Sequence, residues 1–382
     1  MKKFLTQEQL QWVDKTWENL DKKLSVVTLR SNSKFPFWSK DHMHNDTNAD
    51  GGINCWTNGF WPGLNWLMYV GTKNEDYRKT AENCEKLLDD AFKNFDRVSH
   101  DTGFIWRLAS GPNYTLTGND ESRVRQSFAA SYLMSRFNPI GGFIRAWNKH
   151  NFSPDCSGVT IVDTMLNLPI LYWASDEYKD PRFKQAAMMH ADHTLANHLR
   201  PDGSIRHLVI RDSETGEVTG ELAGQGYDIG SCWSRGQAWA VYGFVISYIH
   251  TGKEEYLDAA KRAAHYFISA VCDTWIPMID FRCPEEPAIY DTSAGCATAC
   301  GLIEIAKLVP EYEKKLYIKA AMNLLMTIEK NYADWSTQTD FIIDMASGSY
   351  RGKEHQNENI IYTDYYFAEA IYKLKGFEPL FW

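Results

Sequence analysis

The sequence predicts an all-α fold, an (α/α)6 barrel of six helical hairpins with short β-hairpins at its rim. Two observations predict this fold. An amphipathic, mostly Ala-rich helical pattern recurs along the 382 residues, with apolar positions at helical spacing and charges on the opposite face. Less polar helical segments alternate with these repeats and begin beside Gly, aromatic and acidic or amide residues. Six outer and six inner helices would close into a ring.

The outer helices are expected at 7–24, 71–88, 118–134, 178–195, 251–267 and 310–325. The inner helices are expected at 56–70, 101–109, 159–175, 232–250, 290–308 and 360–374. Three short turn-bounded segments, 141–147, 203–208 and 277–281, are candidates for rim hairpins. Because the repeat runs from end to end without a Pro-, Ser- or Gly-rich linker, we expect a single catalytic domain over residues 1–382.

Composition excludes several classes of protein. Lys and Arg total 40 against 49 Asp and Glu, a formal charge of −9, and 44% of the residues are hydrophobic. Such a chain can build a large core, so disorder is excluded. The acidic balance, without a run of basic residues, argues against binding to nucleic acid or to a membrane surface.

Targeting and cofactor signals are also missing from the sequence. The N-terminus, MKKFLTQEQ, lacks the apolar core of a secretory signal, which predicts a cytoplasmic protein. No stretch approaches the roughly 20 consecutive apolar residues of a membrane span. The eight Cys form no CxxC pair, and no GxGxxG, P-loop or HExxH motif occurs, so we expect free thiols, no metal and no cofactor. The sequence leaves the oligomeric state open.

Aromatic residues predict a ligand cavity. The chain has 14 Trp, 20 Tyr and 19 Phe. Most large rings fill cores, but Trp56, Trp61, Trp233 and Trp239 are flanked by polar residues. We therefore expect some of these rings to line a cavity.

Two acids stand where inner helices are expected to begin, which is the concave end of such a barrel. Asp163 lies among Val and Leu residues in GVTIVDTMLNLP, so its carboxylate is predicted to be partly desolvated in a pocket. An ordinary helix cap is the alternative. Asp101, in SHDTGF, is harder to distinguish from a cap.

Three polar side chains are further candidates for binding. Arg235, in SCWSRGQAW, is a candidate clamp for a carboxylate, with Gln225 upstream of it. A structural Arg stacked on an aromatic ring is the alternative reading. His207 lies in a predicted rim strand and could donate to a hydroxyl or a carboxylate. By contrast, His190, His193 and His198 lie in or beside an outer helix and are expected at the surface.

Six stretches together resemble the unsaturated glucuronyl hydrolases. They are CWTNGFWPGLNWL (55–67), SHDTGF (99–104), IVDTMLNLPILYWA (161–174), SCWSRGQAWAVYGF (231–244), DTSAGCATACGLIEIA (291–306) and TDYYFAEAI (363–371). The resemblance implies the same (α/α)6 barrel. It also implies a small unsaturated oligosaccharide, left by a polysaccharide lyase, as the substrate. Hydration of the C4=C5 double bond would then release the terminal uronate.

The resemblance also implies roles for individual residues. Asp163 matches the family's general acid and base, and Asp101 the second acid. The residues expected to hold the unsaturated uronate are Trp56, His207, Gln225, Trp233, Arg235 and Trp239. In the C-terminal loop 347–353, Ser349, Arg351 and Lys353 are candidates for binding a sulfate on the neighbouring amino sugar.

Three other functions remain open at this point. A hydrolase of unsaturated rhamnogalacturonyl fragments of pectin would use the same barrel. A sugar epimerase also uses helical barrels, but it would need a pair of His residues facing the cavity. A non-catalytic sugar-binding protein would keep the aromatic cleft and lack turnover.

Overall fold

The computed structural model describes residues 2–149, 155–352 and 355–382. Twelve α-helices occur in this part of the chain. They are α1 (Gln7–Arg30), α2 (Phe60–Thr72), α3 (Glu75–Leu87), α4 (Leu108–Thr117), α5 (Asp120–Ser135), α6 (Pro169–Tyr178), α7 (Pro181–Asn197), α8 (Ser234–Thr251), α9 (Glu254–Val271), α10 (Thr292–Leu308), α11 (Glu311–Tyr332) and α12 (Ile361–Lys375). Each of the twelve predicted helices has a counterpart here.

The even-numbered helices form the inner ring and the odd-numbered helices the outer one. Almost every residue of α8, α10 and α12 is buried, whereas α3 and α9 bury one face. Helix α12 packs on both α10 and α2, which closes the inner ring. The predicted (α/α)6 barrel is therefore confirmed.

Short turns at one end of the barrel connect inner helices to outer ones. Lys73, Gly118, Lys179 and Gly252 end α2, α4, α6 and α8 in the left-handed conformation. In three of these turns the next residue, an Asn or Asp, caps the following outer helix with its side chain. The longer connections all lead from an outer helix to the next inner helix, so they gather at the opposite end.

The short strands all lie in these long connections. They are β1 (Trp38–Ser39), β2 (Phe137–Asn138), β3 (Phe143–Ile144), β4 (Val159–Ile161), β5 (Leu208–Arg211), β6 (Val218–Leu222) and β7 (Asn359–Ile360). Strands β2 and β3 form a hairpin, β4, β5 and β6 form an antiparallel sheet, and β1 pairs with β7. Of the predicted rim hairpins, 141–147 contains β3, 203–208 reaches only the first residue of β5, and 277–281 forms isolated bridges alone.

One inner helix begins later than predicted. The segment 159–175 starts as strand β4, continues as a 3₁₀ helix at Val162–Leu166, and becomes α-helical only from Pro169. The run Val159, Thr160 and Ile161 is β-branched, which favours a strand. Pro169 occupies the first turn of α6, where its missing N–H costs no hydrogen bond.

The second inner helix also has an irregular start. Gly103–Arg107 is π-helical and leads directly into α4, which continues to Thr117, beyond the predicted end. Within the described part of the chain, no helix is both long enough and apolar enough to cross a lipid bilayer.

Candidate active site

A cavity of about 290 Å³ lies at the end of the barrel where the inner helices begin. Its walls are formed by Trp56, His100, Asp101, Trp147, Ile161, Asp163 and Gln225. Four of these residues, Trp56, Asp101, Asp163 and Gln225, are predicted site residues. The structure thus brings both candidate acids, one aromatic ring and one amide to a single cavity.

Asp163 faces His207 because of the register between β4 and β5 in the antiparallel sheet of β4, β5 and β6, which we call the rim sheet. Ile161 in β4 pairs with Leu208 in β5, and the N–H of Val162 donates to the carbonyl of His207. This pairing places Nε2 of His207 3.5 Å from Oδ2 of Asp163. Neither atom has a hydrogen-bond partner among the described residues. The Asp163 side chain is 14% exposed, so its carboxylate reaches the cavity from a largely desolvated position.

The tautomer of His207 follows from its other ring nitrogen. The backbone N–H of Gln225 donates to Nδ1 over 3.0 Å, a shorter contact than the 3.3 Å to the carbonyl of Ala223. We therefore assign Nδ1 as an acceptor, which puts the proton of the neutral ring on Nε2, towards Asp163. Gly224 has φ +57°, and a Cβ there would lie 2.3 Å from Nδ1, so this contact requires glycine.

Asp101 is held by the segment that precedes the π-helical turn. Oγ of Ser99 donates to Oδ2 of Asp101 over 2.6 Å, and Nε2 of His100 lies 3.4 Å from Oδ1. The other nitrogen of His100, Nδ1, contacts the hydroxyl of Thr164 at 2.9 Å. Burial lowers the pKa of His100, which favours the neutral ring. Asp101 is therefore an oriented carboxylate at the edge of the cavity.

Asn167 connects the two acids. Its Nδ2 lies 3.4 Å from Oδ1 of Asp101 and 3.3 Å from the carbonyl oxygen of Asp163, while its Oδ1 accepts from the N–H of Phe104 over 2.9 Å. The close approach depends on Gly103, because a Cβ there would lie 2.5 Å from Cα of Asn167. One amide thus fixes the separation of the segments that carry the two carboxylates.

Trp56 forms the aromatic wall of the cavity. It opens a 3₁₀ helix, Trp56–Gly59, and its ring stacks on that of Tyr362 with centroids 5.1 Å apart. The ring is half-buried and can offer a face to a sugar.

Trp239 does not reach the cavity. It is completely buried and packs on Phe104 and Tyr366. Trp61 is also buried, and its Nε1 donates to the carbonyl of Ser31. Helix α8 turns the Trp239 ring into the barrel core, and the expectation that this ring packs on the sugar stays a prediction.

Trp233 supports His207 from behind. Its ring is 2% exposed and lies 4.2 Å from the imidazole, centroid to centroid. On its other side the guanidinium of Arg235 lies 4.5 Å from the ring. Trp233 therefore orients the imidazole, and its role in holding the uronate stays a prediction.

Two nitrogens of the Arg235 guanidinium already have partners, whereas its Nε has none among the described residues. Nη1 forms an ion pair with Asp291 over 2.5 Å and also donates to the carbonyl of Ser347, while Nη2 donates to that of Gly348. The Arg235 and Asp291 side chains are 1% and 0% exposed. Arg235 holds the C-terminal loop against the barrel, which agrees with the structural alternative. Its role as a clamp for a substrate carboxylate stays a prediction.

Replacing Arg235 with Met should therefore affect stability more than substrate affinity. The change leaves the Asp291 carboxylate buried without its cation, which costs about 3–5 kcal/mol of unfolding free energy. Arg351→Met is the matched control, because Arg351 pairs with Asp228 while both side chains are more than half exposed, and exposed pairs contribute about 0–1 kcal/mol. Denaturant unfolding measures both. Equal losses in the two variants would contradict the structural role of Arg235.

The C-terminal loop contacts Gln225. The side-chain amide of Gln225 donates to the carbonyl of Gly348, and the N–H of Tyr350 donates to the carbonyl of Gln225. The hydroxyl of Ser349 accepts from the N–H of Gly352, and Arg351 pairs with Asp228 over 2.8 Å. Lys353 lies outside the described residues. The sulfate-binding role of this loop stays a prediction.

The prediction that His190, His193 and His198 lie at the surface is wrong. All three are at least 95% buried. Nδ1 of His190 accepts from the N–H of Ile144 in β3, and the hydroxyl of Thr160 in β4 contacts both His193 and His198. Burial lowers the pKa of His198 to about 4. Helix α7 faces β4 and β5 here rather than solvent.

Sequence reasoning missed four residues that line or build the site: His100, Trp147, Ile161 and Asn167. Three of them stand within four positions of a predicted acid, so proximity to Asp101 or Asp163 was an available signal for His100, Ile161 and Asn167. Trp147 reaches the cavity through the β2–β3 hairpin, and no local pattern marks it. Among the described residues no group of three or more His, Cys, Asp or Glu side chains is arranged to hold a metal ion.

A family model spans most of the chain. The model of Glycosyl Hydrolase Family 88 matches residues 28–366. The chain belongs to this family. It is therefore an enzyme, and the resemblance to the unsaturated glucuronyl hydrolases that the six sequence stretches indicate is confirmed.

Individual members of the family agree with this assignment. The chain is 34% identical over 335 residues to an unsaturated glucuronyl hydrolase of Bacillus sp. (strain GL1), covering 86% of this chain and 88% of the relative. It is 30% identical over 336 residues to an unsaturated chondroitin disaccharide hydrolase of Streptococcus pneumoniae, covering 86% and 83%.

A solved structure shows the same fold. The crystal structure of an unsaturated glucuronyl hydrolase from Bacillus sp. GL1, responsible for the degradation of glycosaminoglycan, superposes with a TM-score of 0.87 at 32% identity. The match covers 94% of this chain and 97% of that chain.

Proposed function

We propose that this chain removes the unsaturated 4-deoxy-4,5-ene uronic acid from the non-reducing end of lyase-generated glycosaminoglycan oligosaccharides. The observation that carries the proposal is the pair of carboxylates, Asp163 and Asp101, in one cavity with an aromatic wall at Trp56. The similar proteins are named as hydrolases of unsaturated glucuronyl and unsaturated chondroitin disaccharide substrates, and these names support the substrate class.

In the proposed reaction, water adds across the C4=C5 double bond. Asp163 gives a proton to C4, and the developing positive charge at C5 is met by water, which loses a proton to the same carboxylate. The hydroxyl on C5 makes a hemiketal. Its opening breaks the bond from C5 to the ring oxygen, and the hemiacetal left at C1 then releases the partner sugar. Asp163 ends in its starting state, so the reaction needs no other reagent.

The neighbours of Asp163 suit this role. Nε2–H of His207 points at Oδ2 from 3.5 Å, which can stabilise the carboxylate once its proton has moved to C4. Trp233 and the N–H of Gln225 keep that imidazole in place. Asp101 and Asn167 lie on the other side of Asp163 from His207, where they would orient the incoming water.

Labelled water tests the reaction directly. When hydrolysis proceeds in water enriched in ¹⁸O, we expect the label at C5 of the freed uronate and none at C1 of either product before exchange. Hydration places the new oxygen at C5, whereas an ordinary two-carboxylate glycosidase places it at an anomeric carbon. Mass spectrometry of the fragmented products at early times distinguishes the two. Label at C1 would reject the mechanism.

A substrate panel separates the proposed function from its alternatives. Lyase-generated chondroitin, hyaluronan, heparin and pectin disaccharides are mixed with the enzyme, and loss of the near-ultraviolet band of the double bond is followed. Turnover of glycosaminoglycan disaccharides alone supports the proposal, and turnover of pectin fragments alone supports the rhamnogalacturonyl alternative. Binding without turnover supports a sugar-binding protein. A single domain over 1–382 and a cytoplasmic location stay predictions.

A further inference from the structure

A buried chain of hydrogen bonds runs from helix α7 through strand β4 to the segment that leads into β5. Nε2 of His193 lies 3.0 Å from Oγ1 of Thr160, and this hydroxyl lies 3.1 Å from Nε2 of His198. Nδ1 of His198 lies 2.9 Å from the carbonyl oxygen of Arg206. Thr160, His193 and His198 are each at least 95% buried, and we call these three residues the buried bridge.

The partners of the two imidazoles fix the direction of these hydrogen bonds. Nδ1 of His193 accepts from the amide of Asn197 over 3.0 Å and also from the guanidinium of Arg211. The proton of this ring therefore lies on Nε2, towards Thr160. Nδ1 of His198 faces a carbonyl oxygen, which only accepts, so this ring carries its proton on Nδ1 and accepts at Nε2. Burial lowers the pKa of both imidazoles, which favours their neutral forms.

The bridge connects the backbone segments that carry Asp163 and His207. Nδ1–H of His198 donates to the carbonyl of Arg206, and the N–H of Arg206 donates back to the carbonyl of His198 over 2.8 Å. His198 thus holds the peptide group that joins Arg206 to His207. At the other strand, Thr160 lies three residues before Asp163. One end of the bridge therefore holds β4 and the other holds the start of β5.

Backbone pairing provides few other bonds between these two segments. Strand β4 is three residues long and lies at the edge of the rim sheet, and its last pair is Ile161 with Leu208. Beyond that pair, the N–H of Val162 donates to the carbonyl of His207 over 3.2 Å. The contact that results, 3.5 Å between Nε2 of His207 and Oδ2 of Asp163, is longer than an ordinary hydrogen bond. A small displacement of either backbone therefore changes this contact.

Buried polar side chains fill space at a cost in desolvation, and in return they impose fixed directions on their neighbours. None of the three bridge residues lines the catalytic cavity. We propose that Thr160 and His198 are positioning residues for the reaction, which hold the imidazole of His207 where it can stabilise the carboxylate of Asp163. The proposal rests on the proposed function and adds to it residues that act only through His207.

The variant Thr160→Val tests this role, because it removes the hydroxyl and keeps the shape of the side chain. We expect kcat on an unsaturated chondroitin disaccharide to fall about tenfold and KM to change less than about twofold, since the substrate still binds beside a displaced imidazole. Thr160→Ser keeps the hydroxyl and should restore most of kcat. In a His207→Ala background, Thr160→Val should have no further effect on kcat, because the group through which it acts is gone.

Thr80→Val is the matched control. Thr80 is 2% exposed, and its hydroxyl donates to the carbonyl of Thr28 over 3.3 Å, between the outer helices α3 and α1. The change should lower stability towards urea, as Thr160→Val does, and leave kcat within about twofold of the wild type. The proposal is overturned if Thr160→Val keeps the wild-type kcat, if it lowers kcat equally with and without His207, or if Thr80→Val lowers kcat as much.

Nuclear magnetic resonance of ¹⁵N-labelled histidine separates this result from the proposed function, because it requires no turnover. In the wild type we expect the proton of His198 on Nδ1 and that of His193 on Nε2. Thr160→Val should shift the ring nitrogens of His207, whereas Thr80→Val should not. These shifts without turnover of any unsaturated disaccharide would reject the function and leave the positioning in place. If Thr160→Val does not fold, His198→Phe replaces it with the same expected loss of kcat, and a wild-type His198 protonated on Nε2 overturns the proposal.

Discussion

Asp163→Asn should lower kcat by about 10²- to 10⁴-fold, the usual contribution of general acid catalysis, while leaving the fold and substrate affinity in place. An amide cannot deliver the proton that C4 requires. The change adds no volume, and Oδ2 has no hydrogen-bond partner among the described residues that the amide would disrupt. Steady-state kinetics on an unsaturated disaccharide measures the loss, and quenching of tryptophan fluorescence measures binding.

The matched control is Asp258→Asn, the same change at an exposed position of the outer helix α9. It should leave kcat within twofold. Thermal unfolding of both variants checks that neither loses structure. An Asp163→Asn enzyme that keeps kcat within tenfold of the wild type would remove Asp163 from the role of proton donor.

Sequence predicts the helices of this barrel well because two local signals agree. The pattern of apolar residues at helical spacing distinguishes buried helices from half-buried ones, as in the almost fully buried α10 and the amphipathic α9. The residues that end inner helices and cap outer ones, such as Gly118 and Asn119, also stand in the sequence. Because all the long connections fall before inner helices, the position of Asp101 and Asp163 near the concave end is predictable as well.

The direction of individual side chains is not predictable in the same way. Trp239 and Arg235 belong to the motif SCWSRGQAW, yet one ring faces the barrel core and the guanidinium faces Asp291. Both directions depend on partners about 50 residues or more away in sequence. The burial of the histidines in α7 was not predictable for a related reason, since the strands that cover them lie far away in sequence.

A second cavity, which shares Trp147 with the catalytic one, illustrates the same limit. Arg97 and Lys149 are about 50 positions apart and look like ordinary surface charges in the sequence. They flank one space because the segment before Asp101 runs beside the β2–β3 hairpin, where the N–H of His100 donates to the carbonyl of Ala146. Only tertiary structure shows that these two exposed side chains line one cavity beside Asp101.

Acid should destabilise the protein steeply between pH 6.5 and pH 5, because several histidines are buried in the neutral form. Burial lowers the pKa of His44 to about 3 and those of His198 and His250 to about 4. Each ring takes up a proton on unfolding once the pH falls below the unfolded value of about 6.5, so the unfolded state binds more protons. The stabilising effect of each neutral ring is therefore complete above pH 6.5 and is lost as the pH falls towards the folded pKa.

The size of the effect follows from proton linkage, at about 1–2 kcal/mol for each of the three histidines over this range. Asp364 acts in the opposite sense, because burial raises its pKa to about 7 and its contribution to stability grows as the pH falls. Its contribution offsets that of about one histidine, which leaves a net loss of about 3 kcal/mol in the free energy of unfolding from these four groups.

Urea unfolding at a series of pH values measures how steeply the free energy of unfolding depends on pH. His44→Gln should reduce this pH dependence by about the contribution of one histidine, because the His44 ring is buried edge-on between Trp61 and Phe341. A stability that stays constant from pH 6.5 to pH 5 would show that these buried rings take up protons without unfolding.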